Sequence, residues 1–192
     1  MIIKPPGWPF MSAVSAVGCL VLYWAGVPHW YTIEIIFVLF FLGGPLLAIW
    51  VIRCGLASRQ GPITGRLDRW LPPWYLVAGI AVALITDAPF QARFAISKPS
   101  LDAYAKTVTA EGPQDSPCRW VGLYRVCYAF TYTSADSDEH VPGSAALIAE
   151  EWAIHSNTRF LLLPVGVPEE TYDDTFRHLT GHWYGWHGWD KW

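Results

Sequence analysis

Three histidines crowd the end of the chain, His178, His182 and His187 in HLTGHWYGWHGWDKW. Imidazole is the side chain most often recruited to hold a metal ion or move a proton near neutral pH. Two histidines four apart share a face only on a helix, and Gly181, Trp183, Tyr184 and Gly185 favour a strand here. No cysteine or carboxylate stands at a recognised ligand spacing. His178 and His182 are therefore weak metal candidates, and packed or solvent-facing histidines are the favoured reading. The same stretch places Trp183, Trp186, Trp189 and Trp192 one every three residues. Such flat, amphipathic rings can stack on wall sugars, lie in a lipid headgroup layer or fill a partner's groove. The plainer alternative is a core strand followed by a tail packed on the domain's own surface.

Two carboxylates, Glu34 and Asp87, sit near the ends of long apolar stretches. A carboxylate there can serve as a proton or cation site or as a contact for a partner helix. Snorkelling, or pairing with nearby His29 or Arg93, is the simpler expectation. The acidic loop with Asp136, Asp138 and Glu139 lacks the full ligand spacing of a calcium loop. Glu150-Glu151 and Glu169-Glu170 with Asp173-Asp174 read as surface charge. There is no nucleophile elbow, phosphate loop, zinc signature or serine triad motif, so no cofactor is expected and the chain leans away from catalysis.

Cys118 and Cys127 fall in a part of the chain expected outside the cytoplasm, where disulfides persist. Geometry opposes a bridge along a straight strand, because nine residues span about 30 Å while bridged Cα atoms lie about 5.5 Å apart. A bridge requires the chain to reverse between them, and the two possibilities stay open. Cys19 and Cys54 read as apolar fillers.

These groups are carried by two halves of different character. Of 192 residues 53% are apolar, and residues 8 to 90 hold almost all the long apolar runs. Spans are expected at about 10–27, 32–52 and 73–88, each near the length that crosses a bilayer core of roughly 30 Å. Within the second, Gly43-Gly44-Pro45 implies a kink or a close helix contact. Arg53, Arg59, Arg66 and Arg69 in the loop 53–72 place that loop in the cytoplasm together with the N-terminus. The turn Val27 to Tyr31 and everything after Ala88 are then extracytoplasmic. Trp8, Trp50, Trp70 and Trp74 fall at inner boundaries, and Trp24, Trp30 and Tyr31 at the outer one. From Arg93 onward eight Lys/Arg face thirteen Asp/Glu, a balance that excludes nucleic acid as a partner.

The expected fold is thus a membrane α-helical region, residues 1–90, plus a small extracytoplasmic α+β domain, residues 91–192, with a mainly antiparallel sheet. A short helix is expected from about 101 to 110, with Ser100 as N-cap and Leu101, Tyr104, Ala105 and Val108 on one face. Gly112 and Pro113 would end it. Arg119 to Thr133 reads as one long strand, or two strands meeting at a bulge near Gly122. Leu147 to His155, Arg159 to Leu163 and His178 to Trp186 read as three more.

The strings VGLYRV (Val121 to Val126) and HLTGHWY (His178 to Tyr184), with Pro72-Pro73-Trp74-Tyr75-Leu76 and Arg93-Phe94-Ala95, resemble a pattern in small uncharacterised membrane proteins of high-GC Gram-positive bacteria. The resemblance covers residues 70 to 185. It implies apolar helices followed by a small outer domain, and carries no activity with it.

Three functions compete on this basis. The first is a membrane-anchored protein whose outer domain binds another membrane or envelope protein, its contacts being the lipid bilayer, the four tryptophans and the two carboxylates. The second is an envelope enzyme drawing on His155, His178, His182 and acidic residues. The third is a transport or channel subunit using Glu34 and Asp87.

Overall fold

The computed structural model describes residues 7–59, 70–111, 118–134, 140–150, 158–172 and 174–188. The chain forms two compact units: Met1–Ala25 with Thr32–Pro89, and Gly26–Tyr31 with Phe90–Trp192.

The first unit is helical: α1 (Trp8–Trp24), α2 (Thr32–Val38), α3 (Gly44–Arg59) and α4 (Pro72–Ile85). Between α2 and α3 the chain stays helical through a π turn, Leu39–Gly43, and the Gly44 N–H reaches back to the Leu39 carbonyl. Pro45 explains this local widening, since a proline lacks an N–H and its ring crowds the carbonyl four residues earlier. The GGP motif therefore produces a π turn within one continuous helix. Gly18 lets α1 and α4 approach, because a Cβ there would overlap the Ile80 side chain. Val21, Ala25 and Ile35 form a small core with Trp24, Val38, Ile80 and Leu84 around it.

Among the described residues, by length and composition one helix, Thr32–Arg59, is able to cross a membrane, and there are two if the bent pair α4 and its successor counts as one span. Three spans are expected from the sequence; α1, with 17 residues, is apolar but short. The arginine loop also begins later than expected, since Arg53 and Arg59 lie within α3. Arg66, Asp68 and Arg69 lie outside the described residues.

The second unit contains α5 (Ala88–Glu111, though its first two residues belong to the first unit) and a six-stranded antiparallel sheet. The strands are β1 (Arg119–Val121), β2 (Tyr124–Phe130), β3 (Ala145–Ala149), β4 (Thr158–Leu162), β5 (Asp174–Thr180) and β6 (Trp183–Gly188), in the order β1-β2-β3-β4-β6-β5. The central strand β3 is buried along its whole length. Phe94, Leu101, Tyr104, Ala105 and Val108 of α5 are buried, as are Tyr124, Phe160 and Trp183 of the sheet. Phe94 stacks on Phe160 at 5.9 Å and meets Trp183 edge-on at 6.4 Å.

Four expected boundaries are corrected. The helix begins at Ala88 and not at 101, because Pro89 occupies its first turn, where a missing N–H costs nothing, and Pro99 is accommodated inside it. Arg119 to Thr133 is a hairpin, not one strand: Gly122, with φ +64°, reverses the chain. His178 to Trp186 is likewise two strands joined at Gly181, φ +56°. The strand expected from Leu147 to His155 runs from Ala145 to Ala149, and 151–157 lie outside the described residues.

Candidate interaction surface

Gly26–Tyr31, the turn between α1 and α2, is an integral part of the second unit. Pro28 is seated on the backbone of Gly185 in β6, where any Cβ would overlap the proline ring. Arg177 Nη1 donates to the Pro28 carbonyl at 3.1 Å, and the Tyr124 hydroxyl donates to the Gly26 carbonyl at 3.1 Å in a buried position. His29 Nε2 faces the Gly185 carbonyl at 3.4 Å, and its ring lies 5.5 Å from that of His187. Burial pushes the His29 pKa below its ordinary value; the charges of His187 and Arg177 add to that, while the Gly185 carbonyl pulls the other way.

A second set of aromatic side chains occupies the sheet face opposite α5. Trp186 stacks on Phe176 at 5.6 Å and meets Tyr132 and Phe130 edge-on. Arg159 is 8% exposed and its guanidinium lies 4.7 Å from the Trp186 ring, and Trp186 Nε1 donates to Asp174 Oδ1 at 2.8 Å. Burial lowers the Arg159 pKa, against the pull of Asp174. A largely buried cation held against a ring is a packing device that orders this face.

The tryptophan repeat does not form one platform. Strand side chains alternate with period two, so residues three apart point to opposite faces. Trp183 is buried on the α5 side at 2% exposure and donates its Nε1 to Asp102 Oδ1 at 2.7 Å, whereas Trp186 belongs to the other face. Trp189 and Trp192 lie outside the described residues. Burial alone would raise the Asp102 pKa, but hydrogen bonds from Lys98 and Trp183 and the charges of Lys98 and Lys106 outweigh it and hold the carboxyl below its usual range.

The histidines do not converge. His178 is exposed, its Nε2 near the Gly181 carbonyl at 3.0 Å and its ring edge-on to Tyr184; His182 is exposed in the turn. Among the described residues one group of three potential ligands comes together, Cys118, Cys127 and Glu150. Its sulfurs are joined to each other in a disulfide. The bridge is possible because the Gly122 reversal places Cys118 beside Cys127, one pair beyond Arg119 and Val126 in the ladder. His155 and the loop Asp136, Asp138, Glu139 lie outside the described residues. Glu34 is buried at 1% exposure within the first unit. Asp87, with φ +55°, closes α4 by donating its N–H to the Leu84 carbonyl at 3.0 Å, a left-handed position in which aspartate is tolerated.

One open part of the second unit is the β1–β2 edge. Trp120 is 67% exposed on the three-residue edge strand, Arg125 stands directly opposite it in register, and Leu123 at the hairpin tip is also exposed. Arg119 instead lies 4.1 Å from the Tyr104 ring and ties the hairpin to α5. The turn seat and this edge were both missed in the sequence. Gly185, a glycine inside an aromatic strand, is the signal that a second backbone approaches closely there. No protein-family model, curated protein or solved structure matches the chain.

Proposed function

We propose that the chain is a multi-pass membrane protein with three helical spans, its N-terminus cytoplasmic and its sheet unit extracytoplasmic, and that this unit binds another membrane or envelope protein without catalysis. Supporting the placement, the α1–α2 turn, expected outside the cytoplasm, belongs to the same unit as the sheet. A disulfide in the sheet unit fits an oxidising compartment. Apolar side chains on Thr32–Arg59, among them Phe40 at 71% and Ile36 at 59% exposure, fit a lipid surroundings.

The observation that carries the binding reading is Trp120. An aromatic of this size left open beside an arginine, on a short edge strand, is the composition of an interface anchor. Purification of the tagged protein from its native membrane in mild detergent, followed by mass spectrometry, tests it. A stoichiometric membrane partner is expected with the wild type and is lost with Trp120→Ala. A solitary monomer, or a partner indifferent to that change, sinks the reading.

The buried Glu34 favours a second reading, a transport or channel subunit. Reconstituted vesicles in which Glu34→Gln leaves cation or proton flux unchanged would remove it.

A further inference from the structure

The Cys118–Cys127 bridge closes the open end of the β1–β2 hairpin, one step beyond the Arg119–Val126 pair. The tip of that hairpin is fixed on α5. Arg93 Nη2 donates to the Leu123 carbonyl at 2.7 Å, and the Leu123 N–H donates to Ser97 Oγ at 2.9 Å. Gly122 lies so close to Ser97 that a Cβ there would overlap it. β1 is therefore a three-residue strap fastened at both ends, with Trp120 in its middle. Its strand neighbour is β2, and the ladder from β2 through β3, β4 and β6 to β5 does not pass through it. Opening the bridge thus releases one end of the strap and leaves the rest of the sheet joined. The Arg119 contact with the Tyr104 ring still acts near the released end, but a cation held on a ring is a far weaker tie than a covalent bond.

The two cysteines differ in access. Cys127 is 5% exposed, whereas Cys118 is half-buried, so an attacking thiolate reaches Cys118 first. Cys127 falls in the register shift between Val126 and Tyr128 of β2 against β3, and such a bulge re-aims the side chain of the residue it adds. Glu150, directly after β3, brings a carboxylate oxygen within 4.8 Å of both sulfurs. Thiol–disulfide exchange uses thiolates both as attacking and as leaving groups. A negative charge at this distance repels the first and disfavours the second. Exchange at this bridge is therefore slowed in both directions.

We propose that the bridge is a regulatory disulfide: an exported protein dithiol reduces it, β1 comes loose at its Cys118 end, and the Trp120 anchor is withdrawn, with Glu150 setting how slowly the state changes. In the first step a thiolate of the dithiol bonds to Cys118 Sγ, the bond between the two sulfurs breaks, and Cys127 leaves as a thiolate that takes up a proton. The second thiol of the dithiol, as its thiolate, then displaces Cys118, which is protonated in turn. The dithiol ends oxidised to a disulfide, and the two cysteines end reduced to thiols. The effect on binding rests on the Trp120 reading given above, whereas the opening of β1 does not.

The test uses the full chain in mild detergent with dithiothreitol as the dithiol. Thiols are read by alkylation and peptide mass spectrometry at Cys118 and Cys127, and amide hydrogen exchange is followed along the sheet. Exchange in β1 is expected to rise about 30-fold on reduction, while β3, β4 and β6 stay protected, and to return on reoxidation. Glu150→Gln should speed reduction about threefold, and Glu170→Gln, which removes an exposed carboxylate from the β4–β5 loop, should leave it unchanged. Exchange rising across the whole sheet would make the bridge a structural staple and overturn the proposal. Unchanged exchange in β1, or equal reduction rates in Glu150→Gln and the wild type, overturns it as well. Partner retention is compared in the same preparations, and loss on reduction with recovery on reoxidation is expected. A partner kept by the reduced chain but lost from oxidised Trp120→Ala overturns the regulatory claim alone. A partner indifferent to Trp120→Ala removes the binding reading and the regulation with it, while the exchange data still decide the opening of β1.

Discussion

Phe40 and Phe160 are the same side chain under opposite conditions. Phe40, in the π turn of the helical unit, is 71% exposed among other open apolar residues; Phe160, in β4 of the sheet unit, is fully enclosed between Tyr124 at 4.7 Å and Phe94. The sheet unit excludes water by packing its own side chains together. The helical unit leaves much of its apolar surface uncovered, which fits the apolar surroundings proposed for it. The two regions thus differ in where the hydrophobic free energy comes from: internal burial in one and, on the proposed membrane placement, lipid in the other.

The largest expected effect follows from that contrast. Phe40→Asp puts a charge on the proposed lipid face and should cost about 3 kcal/mol of membrane insertion, while Val165→Asp, equally open at 79% in the sheet unit, should change stability by less than about 0.5 kcal/mol. Integration measured by alkaline extraction and by glycosylation-site mapping checks the pair. Equal, negligible effects at the two positions would dissolve the comparison.

The next prediction concerns the point where the helical turn enters the sheet unit. Gly185→Ala should destabilise that unit by about 2 kcal/mol, because the new methyl overlaps Pro28 and the seat must open. The same seat should be sensitive to pH. His29 has a folded pKa below 6.5, so the unfolded chain takes up a proton first. Stability is full above pH 6.5 and falls as the pH drops from there through the folded value. Unfolding midpoints between pH 8 and pH 5 should show this slope, and His29→Gln should flatten it. A slope unchanged by the substitution would place the titration elsewhere.

Smaller again is Trp183→Phe, expected to cost about 1.5 kcal/mol through loss of ring area and of the hydrogen bond to Asp102. Asp102 adds a second pH window: its folded pKa is depressed, so its contribution is present above 3.8 and is lost as pH falls below that through the folded value. In Trp183→Phe that acid loss should shrink. An acid limb identical to the wild type would show that Lys98 and Lys106 set the carboxyl without the indole.

Periodicity and length made the main elements legible in the sequence: Thr32 to Ile52 as an apolar helix, the aromatic strands after Arg119, the face formed by Leu101, Tyr104, Ala105 and Val108. What they could not convey is chain direction at single glycines. Gly122 reads as a bulge until its left-handed φ turns Arg119 to Thr133 into a hairpin, and the Cys118–Cys127 bridge depends on that reversal. The spacing of one tryptophan every three residues implies a shared surface, but the period-two alternation of a strand sends Trp183 and Trp186 to opposite faces. Pro28 on Gly185 joins residues 157 apart in sequence, and the glycine signals a close approach there without saying which segment makes it.

The smallest effect bears on a residue that both a structural and a functional account claim. Asp87 closes α4 at φ +55°, a conformation that glycine adopts without the steric penalty a side chain carries. If its role is only to turn the chain between α4 and α5, Asp87→Gly should leave stability unchanged or raise it by about 0.5 to 1 kcal/mol, with insertion and partner retention intact. If its carboxylate serves a transport path, the same variant should keep its fold and lose flux. Glu34→Gln supplies the contrast, because a buried carboxylate cannot be excused by backbone geometry. Flux lost in both variants would join the two carboxylates in one path. Flux lost in Glu34→Gln alone would leave Asp87 as the device that ends the helical unit where the sheet unit begins.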